Sequence, residues 1–341
     1  MSVRRASYNL EDGFLGRFSG ALSKGATARL LLLYTARPEF RPPWPPRAHH
    51  TQINLNRLSA GNVRKMVGQV AASKALSDET ITAMVERAGG VPLFVEELTR
   101  AVLVGGDAKL TGREIPATLH DSLMARLDRL GPAKDVIQLG AVIGNEFSYE
   151  MLHTVHPIAE TELRAALSTL TNAELLYIRG IAPDATYKFK HALIQDTAYE
   201  ALLKSRRKGL HRRVAQVISE RLTALREAHP ELLARHWTEA GESERAIVEW
   251  ERAGAAAEAR NAYREALENY QQASALLDTL PESSARDSQE LELGQSVYRT
   301  LYVVRGHAAR ETIDNVDRTA ALARKMGKLT LLTGAINLSE G

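Results

Sequence analysis

Few side chains in this 341-residue sequence are placed for chemistry, and His191 is the best placed of them. It lies in Lys188-Phe-Lys-His-Ala-Leu-Ile-Gln-Asp-Thr-Ala-Tyr-Glu-Ala-Leu-Leu203. Tyr187 and Phe189 alternate with charged residues, as in a short strand. Ala192, Leu193, Thr197, Ala198, Ala201 and Leu202 then recur at the spacing of one helix face. His191 therefore stands at a strand-to-helix junction, where an imidazole N–H or free backbone N–H groups can meet an anion. An ordinary imidazole pKa of about 6.5 makes such a contact adjustable. The competing reading is a junction histidine satisfied by its neighbours.

Other candidates carry plainer explanations. Gly89-Gly90-Val91-Pro92 reads as a helix stop followed by a helix start. Lys204 to Arg213 holds six basic residues in ten. With no interleaved aromatics and a net charge of only +3, it reads as a solvated helix face, not a nucleic-acid surface. Glu96 and Glu97 are adjacent on a predicted helix, point in different directions and cannot work as an acid/base pair. His49 and His50 fall in a proline-rich loop. No His-Glu-x-x-His spacing and no nucleophile elbow occurs. The absence of cysteine excludes disulfides, thiolate metal sites and a cysteine nucleophile.

The elements that would position these residues follow from periodicity and punctuation. Arg29 to Arg37 is an apolar run of strand length closed by Pro38, expected as a buried strand. Arg41-Pro-Pro-Trp-Pro-Pro-Arg47 is a surface loop, and the alternation of Gln52 to Leu58 suggests a second short strand. Ser59 caps a helix to about Lys74, Ser77 caps another to about Ala88, and Pro92 opens a third to about Val104. Helices are expected at 117–130, 132–143, 148–155 and 160–173, then a hairpin of Leu175–Arg179 and Thr186–Lys190 across 180–185. That order describes a winged helix. From 192 onward the chain reads as helix. Trp250, Ala253, Gly254, Ala257, Ala266, Tyr270 and Ala273 take the spacing of a tetratricopeptide repeat, with further hairpins at 231–244 and 286–326. No apolar run approaches the roughly 18 residues of a membrane span. A cytoplasmic protein is expected.

Taken in order, the motifs resemble a known family. Leu31-Leu-Leu-Tyr-Thr-Ala-Arg-Pro-Glu-Phe40, Gly89-Gly-Val-Pro-Leu-Phe-Val-Glu-Glu-Leu98, Phe189-Lys-His-Ala-Leu-Ile-Gln-Asp196 and the repeat-like helices are similar to bacterial STAND-type ATPases. These AAA-related signalling proteins are often fused to class III adenylyl or guanylyl cyclase domains and followed by tetratricopeptide repeats. The resemblance implies that Thr35 and Arg37 end a core strand where the arginine reads a γ-phosphate. It implies that Gly89, Gly90 and Pro92 form a lid motif near the adenine and phosphates. It also implies that His191 touches the β-phosphate of ADP in the resting state.

The family's phosphate loop is missing. Gly20-Ala-Leu-Ser-Lys-Gly25 places Lys before Gly, with no Ser or Thr following. Leu10-Glu11-Asp12 lacks the hydrophobic strand of a magnesium-binding carboxylate. Phosphoryl transfer without these groups loses its main electrostatic stabilisers. The expectation is a mostly α chain cut within a larger protein. Its parts are a residual α/β ATPase edge (1–58), a helical lid (59–110), a winged helix (111–190), connecting helices (191–228) and tetratricopeptide-like repeats (229–341). ATP or ADP belongs to the complete parent, and none is expected to bind this fragment, which is no enzyme on its own. The repeats are expected to bind a protein partner. One alternative is a transcription regulator binding DNA through the winged helix. Another is an ATP-binding enzyme active only when the missing N-terminal part is supplied.

Overall fold

The computed structural model describes residues 35–36, 40–41, 45, 51–72, 76–105, 118–156 and 158–327. The expected strand Arg29–Arg37, the Gly20–Gly25 segment and Arg37 itself lie outside the described residues or mostly so. The chain is mostly helical, with one three-stranded sheet among the described residues.

The first unit holds α1 (Ala60–Ala71), α2 (Asp78–Ala88) and α3 (Pro92–Gly105). Ser59 accepts from the Asn62 N–H and Ser77 from the Thr80 N–H, so the two expected caps form. Each helix buries one stripe: Val63 and Val67, Met84 and Ala88, then Val95, Leu98 and Val102. Gln52 to Leu58 is a correction. It forms no strand, and Ile53 and Leu55 are exposed. Alternation alone gives no ladder, and the Leu58 N–H instead reaches the Gly90 carbonyl at 2.8 Å.

Next come α4 (Leu119–Asp128), α5 (Ala133–Ile143), β1 (Glu146–Ser148), α6 (Tyr149–Val155), α7 (Glu160–Asn172), β2 (Leu176–Arg179) and β3 (Thr186–Phe189). Thr118 and Asp121 start α4 with a capping box. The antiparallel sheet runs β1-β3-β2, pairing Phe147 with Tyr187 and Leu176 with Phe189. Helix, strand, two helices and a hairpin thus follow in the order expected of the winged-helix unit. Phe147 stacks on Tyr187 and meets Phe189 edge-on, each at 6.0 Å between centroids. Strand β1 is too short to show a period in the sequence, yet it places this aromatic cluster.

The remaining helices are α8 (Ala192–Glu200), α9 (Lys204–Arg221), α10 (Thr223–Ala228), α11 (Pro230–Ala240), α12 (Ser243–Ala259), α13 (Tyr263–Leu277), α14 (Ser284–Arg305) and α15 (Arg310–Lys325). The winged-helix core does not stop at the wing. It continues through Val214 and Ile218 of α9 to Leu233, Trp237 and Ala240 of α11 and Ala246 of α12. A second core joins α12, α13 and α14 through Ile247, Ala257, Ala266, Tyr270, Leu277, Leu293 and Leu301. The Tyr270 ring occupies the place where a Cβ on Gly254 would stand, so α12 and α13 approach closely only because residue 254 is glycine. Trp250 does more than its repeat spacing suggests. It is half-buried at the seam between the two cores, and its indole N–H reaches Thr238 Oγ1 of α11 at 3.0 Å.

Candidate functional site

Gly89, Gly90 and Pro92 lie on one segment and His191 on another, while Arg37 lies outside the described residues. Gly89 and Gly90 follow α2 with φ of +53° and +75°, the left-handed region that favours glycine. Gly89 caps α2, and its carbonyl accepts from Arg57 at 3.3 Å. Gly90 lies against the Leu58 backbone, where a side chain would have no room. Pro92 is the first residue of α3. His191 is the N-cap of α8, half-buried, and its side chain makes no capping hydrogen bond.

A ring of four charges joins α3, four residues beyond Pro92, to the end of β3 just before His191. Glu96 is one helical turn beyond Pro92, and Lys190 immediately precedes His191. Lys190 Nζ contacts Glu96 at 2.7 Å and Glu174 at 2.8 Å. Arg100 contacts the same two carboxylates at 3.0 and 2.7 Å. Every charge in the ring touches two of opposite sign. Glu174 holds φ at +52°, rare for a residue with a side chain, at the turn between α7 and β2. Nearby, Arg126 of α4 grips both carboxylate oxygens of the buried Glu97, at 2.5 and 2.6 Å, and also donates to the Ala173 carbonyl. Glu96 and Glu97 thus diverge as adjacent helical residues must, and each meets a cation of the winged-helix unit.

Electrostatics follow the geometry. Burial pushes the Glu96 carboxyl up, but hydrogen bonds from Lys190 and Arg100 outweigh it and hold it below the usual range. Hydrogen bonds from Lys190 and Arg100 hold Glu174 down as well. Burial lowers Lys190, while Glu174 and Glu96 raise it further than burial lowers it. The ring is charged throughout the neutral range and has no proton to exchange there. It is a positioning device and carries no acid/base chemistry.

The basic run of α9 lies on an exposed helix face, as its sequence suggests, and several of its cations contact neighbouring elements. Arg206 pairs with Asp135 of α5 at 2.9 Å, and Arg212 with Glu242 at 2.7 Å. Arg207 donates to the Leu202 carbonyl and lies 4.9 Å from the centre of the Tyr199 ring. The Lys208 ammonium stands beside Gly241, the C-terminal end of α11, where a cation suits the helix dipole. Helix α7, in the position that reads DNA in winged helices, exposes Glu160 and Glu162, and its Arg164 pairs with Glu160 at 2.7 Å. Among the described residues no group of three or more His, Asp or Glu is placed to hold a metal ion. Among them, too, no helix is long and apolar enough to cross a membrane.

No family model matches the chain. An uncharacterized protein of Rhizobium meliloti (strain 1021) is 28% identical over 271 residues, which cover 77% of this chain and 26% of that protein. The chain therefore spans about a quarter of the length of this curated relative. Among solved structures it is similar to a Signal Transduction ATPase with Numerous Domains from Pyrococcus horikoshii that carries a tetratricopeptide repeat sensor. The match is 11% identical, covers 84% of this chain and 44% of that one, and has a TM-score of 0.39.

Proposed function

We propose that this chain is the regulatory section of a nucleotide-responsive signalling protein. In this reading the three-helix unit is a lid and the winged helix is a mechanical part. The repeats receive a protein partner. The observation that carries the reading is the four-charge ring, which ties α3 to the turn after α7 and the end of β3. Its Glu96 lies four residues beyond Pro92 and its Lys190 just before His191, and Pro92 and His191 are proposed to contact adenine and β-phosphate. ADP held there adds a third tie between lid and winged helix, and its exchange for ATP leaves the ring to hold alone. Arg37 is proposed to read the γ-phosphate in the longer protein. The output is proposed to be cyclic-nucleotide synthesis by an adenylyl cyclase domain of that protein.

Two charge patterns weigh against the DNA-binding reading. The helix in the reading position exposes carboxylates, and Arg206 and Arg212 of the basic helix are ion-paired with acidic residues of this chain. The reading of a trans-complemented ATPase has no supporting contact on the described residues.

ADP calorimetry tests the proposal with two samples. The chain as given is expected to show no submillimolar binding, because it lacks a phosphate loop. A longer version with that loop is expected to bind ADP, and His191→Ala or Pro92→Ala should weaken this binding at least tenfold. ADP binding by the longer protein that neither substitution changes would overturn the assignment.

A further inference from the structure

Away from the junction, three helices are pinned by a hydrogen-bonded chain that the proposed relay does not use. The Tyr199 hydroxyl, in the last turn of α8, meets His211 Nε2 of α9 at 3.0 Å. His211 Nδ1 meets His236 Nδ1 of α11 at 2.9 Å. His211 is 3% exposed and His236 0%. His236 Nε2 is buried with no hydrogen-bond partner among the described residues. The same helices carry Val214, Ala215 and Ile218 of α9 and Leu233 and Trp237 of α11, all buried in one core.

Proton accounting shows why this chain suits only a neutral pair. One Nδ1 must donate and the other accept. If His211 Nδ1 donates, its Nε2 accepts from Tyr199, and His236 buries an unpaired Nε2–H. If His236 Nδ1 donates, His211 donates through Nε2 to Tyr199, and His236 is left with only an unfilled lone pair. The second arrangement costs less, since orphaned buried N–H groups are the rarer defect. One added proton places a cation in an apolar seam. Two added protons turn two N–H groups against each other.

The charged surroundings offer that cation no counterpart. The charges acting on His211 are Arg235 of α11 and Arg207 of α9, and those on His236 are His211 and Arg235. Tyr199 additionally feels Glu239, Arg207 and Arg235. Burial first, then these cations, push His211 down to about 4 and His236 down to about 3.

We propose that Tyr199, His211 and His236 form an acid-sensitive joint between the winged-helix body and the repeats. Neutral, the chain clamps α11 to α8 and α9. Protonated, it releases α11 and the helices that follow. Both imidazoles titrate below their ordinary value in the closed joint. The open form therefore binds more protons, and the clamp is complete above about pH 6.5 and lost progressively as pH falls from there toward the closed-state values.

Hydrogen exchange of the full chain, corrected for intrinsic rates and followed from pH 7 to pH 4, reads the joint directly. Amides of α9 and α11 should lose protection at least tenfold between pH 6.5 and pH 4.5, while α5 to α7 keep theirs. His236→Leu, which removes one of the two titrating groups, should at least halve the logarithm of that loss. If it does not fold, His236→Gln, which keeps a polar partner for His211, should at least halve the logarithm of the loss. Three outcomes overturn the proposal: wild-type α9 and α11 still protected at pH 4.5, α5 to α7 opening together with them, or an unchanged transition in the variant that folds.

Discussion

Single residues decide how closely the helices meet. Gly90 adopts φ of +75° against the Leu58 carbonyl, so Gly90→Ala meets both backbone strain and a collision with main chain. We expect a loss of about 1–3 kcal/mol in urea unfolding, with the m-value unchanged. Gly254→Ala drives a methyl into the Tyr270 ring, and a similar loss, about 1–3 kcal/mol, is expected in the transition that reports the repeats. A Tm of Gly254→Ala equal to wild type would show that α12 and α13 can separate at no cost. Much at this scale was legible. Ser59 and Ser77 announce their helices because a cap is a local bargain between a hydroxyl and a backbone N–H three residues on. His191 sits at its junction because the period changes there. Trp250 packs against the repeat core as its spacing suggests, but repeat spacing does not show that it also reaches Thr238 of α11.

At the scale of elements, the four-charge ring makes a definite prediction about pH and salt. Glu96 and Glu174 have depressed values, so their contribution is present above the ordinary carboxylate range and lost as pH falls through the lower folded values. Lys190 is raised, so its share is present below its ordinary value and lost at strongly alkaline pH. The junction should stay closed from about pH 5 to about pH 10. Lys190→Met leaves two carboxylates facing one arginine, and a loss of about 1–3 kcal/mol is expected, largest for the amides of α3 in hydrogen exchange. Raising salt to about 1 M should weaken the wild-type junction more than the Lys190→Met one, since screening acts on the charges that remain exposed. None of this was legible in the sequence. Arg100 and Glu174 are 74 residues apart, and Lys190 and Glu96 are 94 apart. No periodicity carries information over such separations. Strand β3 could be read from its alternation, whereas Gln52–Leu58 alternates as well and forms no strand. A pattern proposes a strand, and a partner makes one.

For the whole molecule, the distribution of charge separates regulatory from nucleic-acid-binding behaviour. Three of the six cations between Lys204 and Arg213 make ion pairs or hydrogen bonds within the fold. Binding to arbitrary duplex DNA at about 50 mM salt should therefore be weak and should change little on Arg206→Ala, measured by fluorescence anisotropy. Tight binding lost in that variant would revive the transcriptional reading. The order of helices, wing and repeats was visible in the sequence, because helix periods and turn residues are local signals. The extent of each core was not. The winged-helix core runs on into α11 and α12, where side chains distant in sequence complete it. One consequence lies at Trp250, which touches both cores and bonds to Thr238. A protease nick near Gly241 would do more than shorten an array of hairpins. It would lift the roof from the neighbouring house, baring Trp237 and Leu233 to water, so the repeats cannot be shed without leaving the wing soluble only with difficulty.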